Sequence, residues 1–72
     1  MSRLNVNPHP GHVLLRALVP DTFARRKLVI DLCKGASPAI RRESVALTSI
    51  AHSGRNPSTA EISQVLAFID SI

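Results

Sequence analysis

Backbone punctuation constrains this chain most: stop and start signals recur so closely that no run between them exceeds the length of an ordinary helix. Pro20 removes a backbone donor after the apolar residues Val13, Leu14, Leu15, Leu18 and Val19, so a short helix over 12–19 must end there. Asp21 can offer a carboxylate oxygen to the free N–H groups of the next turn, and Gly35 supplies a left-handed stop after Lys34, which brackets a long helix over 22–34. Ser37-Pro38 reads as an N-cap followed by proline at the first helical position, and Gly54 closes that segment after His52. In Ser58-Thr59-Ala60-Glu61 the first and fourth residues can satisfy each other's orphan donors as a capping box, so a last helix starts there. No strand-type alternation and no internal repeat is visible. The expectation is an all-α fold, a small bundle of three main helices plus one short N-terminal helix.

Residues 1 to 10 contain Asn5, Asn7, Pro8 and Pro10, which disfavour regular structure and read as an extended N-terminal arm carrying Arg3 and His9, followed by a helical domain over 11–72. A chain of this size buries only about 60% of its unfolded surface, so a single domain is expected. On the helix over 22–34, Leu28 and Leu32 share one side, Val29 and Cys33 another, and Phe23 and Ile30 a third, which predicts a central helix touched on most sides. In the next helix Ile40, Leu47, Ile50 and Ala51 form an expected inward stripe, with Arg41, Arg42, Val45, Ser49 and His52 opposite. The last helix has the stripe Ile62, Val65, Leu66, Ile69 and Ile72. Phe23, Phe68 and Cys33 are all expected to fill core space.

Nine Lys and Arg against five Asp and Glu give a net charge of +4, which favours an anionic partner: nucleic acid, lipid headgroups or an acidic protein patch. The lone Cys33 forms no intramolecular disulfide and fits a reducing compartment. No apolar run reaches the ~20 residues of a membrane span, and the first residues lack the apolar centre of a signal peptide. His9, His12 and His52 have no acidic residue at metal-ligand spacing, and no nucleophile elbow or glycine-rich phosphate loop occurs. Neither a metal, a cofactor nor enzymatic chemistry is expected. Binding is the function class that remains.

Residues 46–68, ALTSIAHSGRNPSTAEISQVLAF, resemble the first two helices of LexA-type winged helix-turn-helix proteins, in which a Gly-x-x-Pro turn leads into a Thr/Ser-x-Ala-Glu-Ile helix. That family needs a further helix bearing basic side chains for the major groove, and residues through Ile72 supply none. The last helix itself presents to bases only Gln64, beside Glu61 and Asp70. A helix-turn-helix-like DNA-binding regulator or antitoxin is therefore the alternative reading, and weak, non-specific phosphate contact is the expectation for nucleic acid.

The segments NVNPHPGH, VLLRALVPDTFARRKLVIDLCKG and NPSTAEISQVLAFIDS together resemble small transcription regulators of lytic Xanthomonas phages. The resemblance implies a non-enzymatic monomer in the bacterial host cytoplasm that binds the β′ and β subunits of host RNA polymerase, displaces the σ factor and promotes read-through of terminators. The residues expected to meet such a partner are Arg25, Arg26, Arg41 and Arg42 for electrostatic steering and Val45 as an apolar anchor. Arg3, Asn5, Asn7 and His9 of the arm are expected to order on contact.

Overall fold

The computed structural model describes residues 8–72, and every regular element among them is a helix: α1 Pro10–Leu18, α2 Thr22–Cys33, α3 Pro38–Ser53 and α4 Thr59–Asp70. The local signals act as expected. Asp21 Oδ1 accepts from the Phe23 and Ala24 amides at 2.9 and 3.1 Å. Ser37 Oγ accepts from the Ile40 amide at 3.3 Å, with Pro38 opening α3. Gly54 ends α3 at φ 72°, in the left-handed region that glycine enters without a Cβ clash. Both halves of the capping box form, Ser58 Oγ accepting from the Glu61 amide at 3.1 Å and Glu61 Oε1 from the Ser58 amide at 2.8 Å.

The first helix begins earlier than its apolar pattern suggests. Pro10 occupies the first turn, and His9 is the N-cap, its Nδ1 accepting from the Gly11 amide at 3.0 Å. Pro10 and His9, expected in the arm, thus belong to α1; the missing donor of Pro10 costs nothing at that position. Arg3, Asn5 and Asn7 lie outside the described residues.

α1 and α4 form the closest pair in the bundle. Gly11 makes this approach feasible, since a Cβ there would fall 2.0 Å from the Gln64 carbonyl oxygen and 2.7 Å from the Phe68 Cβ. The imidazole of His12 stacks on Phe68 with centroids 4.7 Å apart, and His9 lies 5.6 Å from the same ring, tilted by 54°. Leu15, Leu18 and Val19 pack against Ile62, Val65 and Ile69, and Leu28, Leu32 and Val45 complete the core. The centre is therefore the α1–α4 pair, and α2 contributes only Leu28 and Leu32 to full burial. Cys33 is exposed, as are Phe23 and Ile30, against the expectation of a central α2. The reason is geometric: the Leu28–Leu32 flank closes this small core with Val29 half-buried against it, and the flank of Phe23 and Ile30 finds no helix to cover it.

α3 is turned about its axis relative to the expected orientation. Val45 and Ser49 are the buried residues, whereas Ile40, Leu47, Ile50 and Ala51 face solvent. The buried flank is made of small side chains that admit a neighbouring helix closely. Ser49 has its hydroxyl satisfied there, donating to the Arg55 carbonyl at 2.8 Å, so its burial carries no unpaired polar atom.

Candidate protein-docking surface

The basic residues divide into those spent on the fold and those presented outward. Arg25 reaches back over the α1–α2 corner, its Nη1 donating to the Val19 carbonyl at 3.0 Å and the Pro20 carbonyl at 3.4 Å. Arg41 pairs with Asp70, and Arg42 donates to Ser63 Oγ at 3.2 Å and the Thr59 carbonyl at 2.9 Å, so both tie α3 to α4. Arg55 bridges to Glu61 Oε2 at 2.8 Å. Of the four arginines expected to steer a partner, Arg26 alone is exposed without an ion pair or side-chain hydrogen bond among the described residues. Lys27 and Lys34, on the same helix, are exposed in the same way.

Val45, expected on the outer face as an apolar anchor, lies inside the bundle. It is 0% exposed and sits in the core, because the face holding Arg41 and Arg42 turns inward toward α4 while the arginine stems carry their charge to the rim. It cannot anchor a partner. His9 is exposed, but its Nδ1 is committed to the start of α1.

The structure instead assembles an apolar surface from residues assigned to the core by their pattern. Phe23 is 80% exposed and Ile30 56%, two turns apart on α2, with Arg26 and Lys27 beside them in a shallow depression. On α3, Ile40 and Leu47 are 54% and 59% exposed. Between the two helices runs a groove of about 340 Å³ with Ala24, Lys27 and Leu28 on one side and Leu47 and Thr48 on the other. A sequence signal for this surface existed in the third apolar side of α2, which exceeds what a helix packed chiefly against α3 and α4 can bury.

Local carboxylate chemistry is structural. The Ala24 and Phe23 amides, with help from His52 and Arg25, hold the Asp21 carboxyl below its ordinary pKa. The Ser58 amide does the same for Glu61, reinforced by Arg55. Hydrogen bonds of this kind favour the charged form, so both groups act as caps in their ionised state. Among the described residues no group of three or more His, Cys, Asp or Glu is placed to hold a metal ion, and no helix is long and apolar enough to cross a membrane.

What the fold and surface define is a class: a small all-helical domain with a basic, apolar outer face on α2 and α3. Comparison with family models, with curated proteins and with solved structures finds no match to this chain.

Proposed function

We propose that this chain is a non-enzymatic, phage-encoded regulator that acts in the bacterial host cytoplasm by binding RNA polymerase at its β′ and β subunits. In this reading it inhibits initiation by displacing the σ factor, and it promotes read-through of terminators. The end-to-end resemblance to small regulators of lytic Xanthomonas phages supplies the identity of the partner. The observation that carries the docking itself is the outward side of α2, where Phe23 and Ile30 stand exposed beside Arg26 and Lys27. Exposed cations raise the encounter rate with an acidic surface, and aromatic and aliphatic groups that become buried slow release. An exposed phenylalanine on a domain this small costs solubility and is the kind of residue that dominates binding energy at interfaces.

The test uses the whole chain and bacterial core polymerase. Co-elution on a sizing column and inhibition of promoter-dependent transcription are expected, with DNA binding weak and steeply salt-dependent. Replacing Arg26 and Lys27 by Glu should abolish co-elution with an unchanged helical spectrum. Reversal at Arg41 and Arg42 is a poorer probe, because it strips α4 of its partners. Tight binding to one DNA sequence with no polymerase contact would replace this reading with the helix-turn-helix regulator or antitoxin.

A further inference from the structure

We infer that the groove between α2 and α3 seats an acidic amphipathic helix contributed by a protein partner. The inference deepens the docking reading above and rests on it. Among the described residues the large apolar ones left exposed are Val13, Phe23, Ile30, Ile40, Leu47, Ile50 and Ile72, and of these seven, five lie on α2 and α3. Their placement follows helix periodicity. On α3, Ile40, Leu47 and Ala51 are spaced by seven and four residues, so they form one line along the helix, directly beside the groove-lining Thr48. On α2, Phe23 and Ile30 are spaced by seven, next to Lys27 and Lys34, which are also spaced by seven. The groove thus has the apolar line of α3 along one wall, Lys27 on the α2 wall and a floor built from Leu28 and Ala24, while Phe23 and Ile30 stand on the outer side of Lys27.

Charge selects the occupant. Of the cations on α2 without an internal partner among the described residues, Lys27 lines the groove and Lys34 stands seven residues further along the same line; Asp31, also in the lining, stands four residues from Lys27 and three from Lys34. A second copy of this chain brings the same cations and a charge of +4, so self-association on this face is opposed. A segment with Asp or Glu along one side meets Lys27 and Lys34 and offers its apolar side to Leu47 and Ile40. A helix is the form that fits, because no strand edge exists among the described residues to extend a sheet and the rims are read at helical intervals.

The experiment titrates the isotope-labelled full chain with two synthetic helical peptides. Both carry Leu at i, i+3, i+4 and i+7; one has Glu and the other Lys at the remaining outward positions. The Glu peptide should shift the amides of Lys27, Leu47 and Thr48 and bind at least tenfold tighter than the Lys peptide. Leu47→Ala, at a solvent-facing position, and Lys27→Glu should each weaken it at least tenfold with the helical spectrum intact. Equal binding of both peptides overturns the inference. So do shifts confined to α1 and α4, or a groove that responds to phosphatidylglycerol vesicles or duplex DNA but not to the Glu peptide. A silent Glu peptide with intact polymerase co-elution removes the groove and leaves the function standing. A bound Glu peptide with no polymerase co-elution does the opposite.

Discussion

The α1–α4 half and the α2–α3 half of this molecule use similar apolar residues for opposite ends. Between α1 and α4, Leu15, Leu18, Val65 and Ile69 are buried to 3% exposure or less, and Gly11 lets the backbones approach until no side chain fits between them. Between α2 and α3 the helices stand far enough apart to leave a groove, and Phe23, Ile30, Ile40 and Leu47 remain in water. Leu15 in one half is structural and Leu47 in the other is surface. The comparison teaches that composition sets how much apolar surface a small chain carries, while the closeness of helix approach decides how much of it is left for a partner.

The sharpest way to break the contrast is to truncate one leucine in each half. Leu15→Ala should cost about 3 kcal/mol through lost burial and a residual cavity, whereas Leu47→Ala should stay within about 0.5 kcal/mol, both read by thermal or urea unfolding. Equal costs would mean that the two halves are packed alike. Next in size is Gly11→Ala, for which a loss of about 2 kcal/mol is expected, because the added methyl meets a carbonyl oxygen that cannot retreat without moving α4. A neutral result would show that the α1–α4 approach has slack.

Acidification acts on both halves through their caps. Asp21 and Glu61 have folded-state pKa values below their unfolded ones, so each contributes stability that is complete above the unfolded pKa and is lost as pH falls through the folded pKa. Unfolding midpoints should therefore drop between the neutral range and strongly acid solution. Asp21→Asn keeps a competent cap without the titration and should remove part of that drop, whereas an unaltered acid profile would exclude Asp21 as a source. The smallest expected effect is that of Arg41→Gln, about 0.5 kcal/mol, since its pair with Asp70 is open to solvent on the carboxylate side.

Element boundaries were legible because caps are local chemistry. Asp21, Ser37, Gly54 and the Ser58–Glu61 box each act within four residues, so nothing distant can override them. The start of α1 was misjudged although its signal, proline at the first helical position, was the same one read correctly at Pro38. Orientation was legible on α4, where Ile62, Val65 and Ile69 are buried as their spacing implies. It was not legible on α2 and α3. Arg41 finds Asp70 at a separation of 29 residues and Arg42 finds Ser63 at 21, and no local pattern shows that an arginine face will turn toward another helix. The candidate site was lost with the same inversion, since the stripe assigned to the core is the one that stands outside.

Cys33 carries a practical consequence. It is the sole thiol of the chain, it ends α2, and it is exposed three residues past Ile30. Without reductant, air oxidation can join two molecules tail to tail through a sulfur–sulfur link beside the proposed docking face, doubling the apparent mass and shielding that face at once. Stoichiometry measured in such a sample would describe an artefact of storage. The same atom accepts a maleimide dye at one defined place, so occupancy of the docking face beside Ile30 can be followed by fluorescence without altering any other residue.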